Sequence, residues 1–453
     1  MSKLKSQFIC SNCNNITSRW SGQCEACGNW DTLSEYESEL KIANFTKQKI
    51  SNDEGNFSTR KIGENKEEAL RYKTNIEELD RCLGGGLVAG SVVLIGGDPG
   101  VGKSTLLLQL LAKISNQGLE TLYISGEESQ NQINLRAERL DIKDSKINIS
   151  TNTNVTSIAN HIRKNPEIRF VVIDSIQTTF VKELGSVPGS VNQLRHSVLE
   201  FSDLAKKLDI TFLLIGHVTK DGQLAGPKLV EHMVDTVLYF EGEKSSNLRI
   251  LRSHKNRYGA TNELAIFDMQ KEGLKQVSNP SEIFLEEYNA QAPGCSIFPL
   301  VEGSRTILIE LQALVSESYM ATPRRAVHGW DNNRLAIILA VLASRCHLNF
   351  SQLEVYFNVA GGLKISEPAA DLAAAATLIS ALKKSSLPEN TVIFGEIGLS
   401  GEIRNASKTI ERLNEAKKLG FKAAITPTLK KKPTNLGIEL IEINHISELL
   451  KFF

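Results

Sequence analysis

The 453-residue chain predicts an α/β protein built on a mostly parallel sheet, with a small cysteine-organised module ahead of it, and three observations carry that prediction. The first is LIGGDPGVGKST (94–105), an apolar run, then a glycine-rich loop, then a helix start. The second is a series of continuous apolar runs that alternate with helical stretches, each closing on a polar residue. The third is four cysteines within the first thirty residues.

Composition bounds the rest. Lys+Arg and Asp+Glu both number 52, so net charge announces no polyanion partner and any nucleic-acid site must be a local patch. Hydrophobic residues make up 41%, enough for a large core. The most apolar window, LAIILAVLA (335–343), is too short to span a bilayer. MSKLKSQFIC lacks the apolar stretch of a signal peptide, so a cytoplasmic location is expected, where cysteines serve as metal ligands or thiols before disulfides.

In chain order, Cys10, Cys13, Cys24 and Cys27 form two C-x-x-C knuckles ten residues apart, which lets four thiolates converge on one tetrahedral Zn²⁺. Four protein ligands leave no open position, so the zinc is structural and supplies folding energy to a segment too short for its own core. Recognition is its expected use, with Arg19, Trp20 and Trp30 as surface candidates or packing residues. The four-cysteine zinc finger is assigned to residues 1–34 and a polar, mixed-charge linker to 35–60.

The region 61–277 holds the phosphate-binding chemistry. Gly97, Gly102, Lys103 and Ser104 have the P-loop spacing, in which glycine backbone turns N–H groups toward phosphate oxygens. The nucleotide-binding set is Gly97, Asp98, Pro99, Gly100, Val101, Gly102, Lys103, Ser104 and Thr105. Lys103 is expected to reach the β- and γ-phosphates and the Ser104 hydroxyl to sit on Mg²⁺. TLYISGEES (121–129), RFVVIDSIQT (169–178) and ITFLLIGHVTK (210–220) read as parallel strands ending in Glu127, Asp174 and His217. Asp174 fits the acid that orients Mg²⁺; Glu127 is the candidate to polarise the attacking water, with Glu128 as fallback. His217 senses the γ-phosphate, couples it to a DNA-facing loop, or is an ordinary hydrogen-bonding residue. A hairpin over 236–259, turning at Gly242 to Asn247, presents Arg252, Lys255 and Arg257, which are solvated, bind nucleic acid or act as arginine fingers on a neighbour's nucleotide.

LGGGLVAGSVVLIGGDPGVGKST, LYISGEES, VVIDSIQT and KNRYG, preceded by the cysteine knuckles, resemble the bacterial RadA (Sms) DNA-repair family over essentially the whole chain. KNRYG (255–259) is the most specific block, since many ATPases share the P-loop. The resemblance implies a RecA-like ATPase core using ATP and Mg²⁺, assembled as a homo-hexameric ring like DnaB-type helicases. It implies branch migration on single-stranded and branched DNA beside a RecA-type recombinase. By position it makes Lys103, Glu127 and Asp174 catalytic, and has Lys255 and Arg257 act across the subunit interface or at DNA.

Residues 278–453 alternate strand-like and helical stretches, and the resemblance makes them a Lon-protease-like domain. A Ser-Lys dyad needs nucleophile and base in hydrogen-bond reach. Where Lon-type enzymes place serine after a proline, Pro368 is followed by Ala369; near the lysine position stands Ile410, with Lys408 out of register and Ser366 or Ser380 as substitutes. A non-proteolytic scaffold for ring assembly and duplex contact is expected, with Arg324, Arg325, Arg345 and Lys430 to Lys432 as candidates for that contact or for a solvated face. The expected function is an ATP-dependent DNA motor; the alternatives are an ATP-switched recombination mediator without unwinding and, less favoured, a Lon-type protease.

Overall fold

The computed structural model describes residues 7–10, 16–17, 20–25, 27–30, 32–36, 70–217, 229–242, 247–429 and 437–453. The chain divides into two compact units, Met1–Glu68 and Ala69–Phe453. In the first, β1 (Gln7–Cys10), β2 (Ile16–Thr17) and β3 (Leu33–Tyr36) form an antiparallel sheet in the order β2-β1-β3. Between β2 and β3 a tight turn returns on itself: the Gly28 N–H donates to the Cys24 carbonyl at 2.8 Å, and the Cys24 N–H to the Asn29 carbonyl at 3.0 Å. Residues 37–60 of the expected linker lie outside the described residues.

The second unit opens with a short pair, β4 (Arg71–Tyr72) and β5 (Leu87–Val88), around helix α1 (Glu77–Cys82). Then come β6 (Val92–Gly97), α2 (Lys103–Ser115), β7 (Glu120–Ser125), α3 (Gln130–Arg139), β8 (Ile147–Ser150), α4 (Val155–Lys164) and β9 (Ile168–Asp174). The sheet is completed by α5 (Val191–Leu208), β10 (Thr211–His217), α6 (Leu229–Met233), β11 (Thr236–Glu241), β12 (Leu248–Asn256), β13 (Leu264–Gln270) and β14 (Gly273–Gln276). Its order is β14-β13-β12-β11-β6-β10-β9-β7-β8. From β11 through β8 every pairing is parallel, while β12, β13 and β14 extend it antiparallel. The expected hairpin of residues 236–259 is therefore β11 and β12, and β13 and β14 lengthen it into a meander; residues 243–246 of the expected turn lie outside the described residues.

Both faces of the parallel part are covered, which is why its strands read as unbroken apolar runs. Val93, Ile95, Phe170, Val172, Leu213 and Ile215 pack with Leu107, Leu110 and Leu111 of α2. Val92, Leu94, Val171, Ile173, Phe212 and Leu214 pack on the other face with Ile158 and Ile162 of α4 and Val198 and Phe201 of α5. Alternate residues of β6, β9 and β10 thus point to opposite cores, as the period of two requires.

A second sheet follows α7 (Pro280–Leu285): β15 (Cys295–Glu302), β16 (Arg305–Glu317), β17 (Arg325–His328), α8 (Asn332–Cys346), β18 (Leu353–Val359), α9 (Asp371–Lys383), β19 (Thr391–Ile393), a hairpin of β20 (Glu396–Ile397) and β21 (Ile403–Arg404), α10 (Thr409–Lys418), β22 (Ala423–Pro427) and β23 (Glu439–Ile443). Seven strands pair in the order β17-β18-β16-β15-β19-β22-β23. The alanine-rich face of α9, Ala373 to Ala376, is fully buried, because small side chains let a helix lie close on a sheet. The β15–β16 turn is seated on the first sheet. Arg305 donates to both oxygens of Glu78 on α1 at 3.0 and 2.9 Å, and the Ser304 hydroxyl to Glu263 at 2.8 Å. Among the described residues no helix is long and apolar enough to cross a membrane.

Candidate nucleotide site

β6 and β7 are consecutive in the chain, yet β10 and β9 lie between them in the sheet, so α2 must cross over two strands. That crossing opens a crevice at the carboxyl ends of the strands, where α/β sheets hold their ligands. The loop from Gly97 to Gly102 lies at its floor. Gly97 cannot be replaced by a larger residue, since a Cβ there would stand 2.2 Å from the Phe240 carbonyl oxygen of β11. Gly102 caps α2 at φ 117°, a backbone conformation that side chains resist. Together they free the first N–H groups of α2 to face an anion.

Lys103 is buried at 4% exposure and folds across the loop, its Nζ donating to the Gly97 and Asp98 carbonyls at 2.8 Å each. Burial lowers its pKa, while Asp174, Glu127 and Asp98 oppose that shift, so three acids act on this one ammonium. Ser104, the next residue, is partly exposed at the crevice.

Asp174 ends β9 level with Ser125 of β7. It is 2% exposed; its Oδ2 accepts from the Tyr123 hydroxyl, and its Oδ1 has no hydrogen-bond partner among the described residues. A buried acceptor without a partner is the condition a hydrated Mg²⁺ would satisfy. The residues present therefore fit ATP with Mg²⁺: the loop amides and Lys103 for phosphate, Ser104 and Asp174 for the metal.

Glu127 follows β7 and is held at two points, accepting from the Ser175 hydroxyl at 2.5 Å and bonded to His217 Nε2 at 2.7 Å. Burial acts to raise its pKa, but the bonds from Ser175 and His217 and the charge of Lys103 outweigh it, leaving the carboxyl below the usual range. Glu128 differs. Its carboxylate is bound to Arg136 of α3 and burial raises its pKa. Beyond the pair lies an open cleft of about 630 Å³ lined by Ser125 to Asn131, Thr151 and Thr153.

Lys255 and Arg257 are not brought to this crevice. Asn256 pairs with Thr236, and Thr236 lies level with Val93, so KNRYG sits at the opposite end of β6 from Gly97, about 13 Å along the strand. Lys255 Nζ donates to the carbonyls of Glu231, His232 and Val234 where α6 ends. Arg257 bonds Asp235 at 3.0 Å and its side chain is half-exposed. Arg252 pairs with Glu241 and with Glu302 of β15, joining the two sheets.

Ser175 and Tyr123 are absent from the expected site. Ser175 carries a readable signal, a hydroxyl directly after the strand-end acid; Tyr123 does not, being an aromatic inside an apolar run.

The Ser-Lys positions of the second sheet hold no dyad. Ala369 is buried and Ile410 half-exposed. Ser380 is buried, accepting from the Gly294 N–H at 2.7 Å and donating to the Ser385 carbonyl at 2.6 Å. Lys408 Nζ donates to the Gly303 carbonyl. What fills the interior is Arg412, fully buried, paired with Glu367 and lying 5.6 and 5.7 Å from the Phe298 and Phe394 rings. Arg325, expected on a DNA-facing surface, spends its guanidinium on the Phe350 and Leu353 carbonyls, while Arg324 and Arg345 are exposed and 430–432 lie outside the described residues.

In the N-terminal unit, Cys24 is buried at 1% exposure and partly exposed Cys27 precedes Gly28, so both thiols flank the closed turn described above. Cys13 and the side chain of Cys10 lie outside the described residues, as does Arg19; Trp20 and Trp30 are exposed. The purified chain is expected to carry about one equivalent of zinc by elemental analysis. A folded N-terminal unit without metal would overturn the four-cysteine assignment.

Comparison with known proteins agrees with this architecture. Residues 60–223 match the AAA domain family, residues 8–35 the rubredoxin metal binding domain, and residues 319–430 subunit ChlI of Mg-chelatase. The RadB recombinase crystal structure aligns at a TM-score of 0.38 and 20% identity, covering 46% of this chain and 99% of its own. The chain is 51% identical to the DNA repair protein RadA of Rickettsia bellii, over 99% of this chain and 98% of that one. It is 49% identical to RadA of Brucella abortus, over 94% and 92%, and 45% identical to RadA of Bacillus subtilis, over 100% and 99%. With a P-loop crevice on a mostly parallel sheet, a cysteine ribbon before it and near-full-length identity to these relatives, the chain belongs to the RadA family of DNA repair proteins.

Proposed function

We propose that this RadA-family ATPase is a ring-forming DNA motor that drives helicase or branch-migration steps on single-stranded and branched DNA during recombinational repair. The observation that carries the reading is the division of the basic residues. Lys103 sits in the crevice, whereas Lys255 and Arg257 lie at the far end of the same sheet and cannot reach their own chain's nucleotide. Half-exposed Arg257 suits contact with a neighbouring subunit, where an added cation stabilises charge on the transferring phosphoryl group. A homo-hexamer closes such head-to-tail contacts without free ends.

Mg²⁺, when bound, would neutralise phosphate charge. Ser104 and Asp174 would hold it, Lys103 would steady the γ-phosphate, and Glu127 would accept a proton from the attacking water. His217 ends β10 and bonds Glu127 directly, a position suited to sensing the state of the base. Motion along any sequence calls for phosphate contacts, and binding should weaken steeply with salt. The second sheet serves as a non-proteolytic scaffold, a reading supported by Ala369, Ile410 and the engaged Ser380.

Strand displacement and branch migration on forked and three-stranded DNA test the proposal, with a RecA-type recombinase supplying the exchange intermediates. Product with ATP and none with a non-hydrolysable analogue is expected. Equal product with both would replace the motor with an ATP-switched mediator.

A further inference from the structure

Tyr123 brings a hydroxyl to a position where the fold calls for a plain apolar side chain. It lies within β7, fully buried, in the cluster of Phe170, Val172 and Leu213 beneath α2. Its register partner on β9 is Val172, and Val172 and Asp174, two residues apart, share one face of the sheet. The phenol therefore spans the diagonal between strands and reaches the end of β9, where its hydroxyl donates to Asp174 Oδ2. A phenylalanine would fill the same volume without carrying a polar group into the core. What the hydroxyl adds is its bond to Asp174.

The backbone around Asp174 is already fixed, because the Gly126 N–H donates to its carbonyl at 2.7 Å. The carboxylate itself still has a torsion to settle, and its second oxygen, Oδ1, is buried without a partner among the described residues. We propose that Tyr123 is a positioning residue that clamps one oxygen of Asp174 and so aims the other at the Mg²⁺ of bound nucleotide. This rests on the reading of Asp174 as the Mg²⁺ acid. A carboxylate pinned at one oxygen cannot swing away from the metal, so the clamp acts on metal affinity and leaves nucleotide contacts alone.

The test uses Tyr123→Phe in the full chain, with Mn²⁺ as a paramagnetic probe and a non-hydrolysable ATP analogue. Analogue binding measured without added Mg²⁺ or Mn²⁺, which leaves the structural zinc in place, should equal wild type and also reports the fold. Bound Mn²⁺, counted by electron paramagnetic resonance, should be held about 10- to 100-fold more weakly. Turnover should recover at saturating Mg²⁺, with the half-maximal Mg²⁺ concentration raised by a similar factor. Asp174→Asn is run beside it. If Asp174→Asn keeps wild-type Mn²⁺ affinity, the reading of Asp174 fails and the clamp with it. If Asp174→Asn loses the metal while Tyr123→Phe binds it as wild type does, the clamp alone is overturned. A measurement without substitution covers a misfolded variant: in a chain carrying 3-fluorotyrosine, one fluorine resonance should move when Mg²⁺ joins the analogue complex, and an unmoved set overturns the clamp.

Discussion

Glu127→Gln is expected to slow ATP turnover by about 10²- to 10⁴-fold while nucleotide affinity changes little. Glutamine keeps the volume and can still bond Ser175 and His217, so the crevice should hold its shape. What it loses is a carboxylate able to take a proton from water. The neighbouring Glu128 is a poor substitute, since Arg136 already occupies its carboxylate. Phosphate release in the steady state and binding of a fluorescent ATP analogue separate the two effects. Turnover close to wild type would remove Glu127 from the mechanism. The pH dependence follows from the sign of the shift. Ser175, His217 and Lys103 hold the Glu127 pKa below its ordinary value despite burial, so the base stays ionised at neutral pH. Its titration should depress the rate only in or below the ordinary carboxylate range around pH 4.3.

Much of this candidate site is legible in the sequence because most of its residues lie at or just beyond a strand end or at a helix start. The P-loop announces itself by spacing, and Asp174 and His217 by closing the apolar runs VVID and LLIGH. A period of two cannot say what crosses between strands. Tyr123 reads as one more core aromatic, and its hydroxyl gains meaning when β9 lies beside β7 and brings Asp174 within reach. The position of Lys255 and Arg257 is hidden for the same reason. Their sequence distance from the P-loop says nothing about which end of the sheet they occupy, and the antiparallel return of β12 beside β11 sets it. β18, LEVYFNV, is marked by alternation instead of an apolar run: Val355, Phe357 and Val359 are buried while Tyr356 and Asn358 between them are partly exposed. Arg325 shows the same limit: the Phe350 and Leu353 carbonyls that accept from its guanidinium come from residues 25 and 28 positions away, which the turn around it does not reveal.

Lys103→Ala and Arg257→Ala should each remove turnover, yet mixing the two chains should restore part of it. Lys103 is buried in its own crevice against Gly97 and Asp98, and losing a preorganised cation there should cost at least about 10²- to 10³-fold. Arg257, if it completes a neighbour's site, should cost about 10³-fold or more, as cations supplied across an interface do. In a ring, each composite site takes Lys103 from one subunit and Arg257 from the next. An equal mixture of the variants then leaves about one site in four intact, because the head-to-tail interface pairs residues of different chains. If Arg257 acts only within its own chain, every site in the mixture lacks one of the two cations and no activity returns. The structure supplies the control for misfolding. Asp235 would lose its Arg257 partner, but its Oδ2 still accepts the Val92 N–H at 3.0 Å, so the start of β6 stays tied down. Melting temperatures near wild type and co-assembled rings with no recovered turnover would sink the shared site, whereas recovery near a quarter of the wild-type rate would place Arg257 on the neighbour's nucleotide.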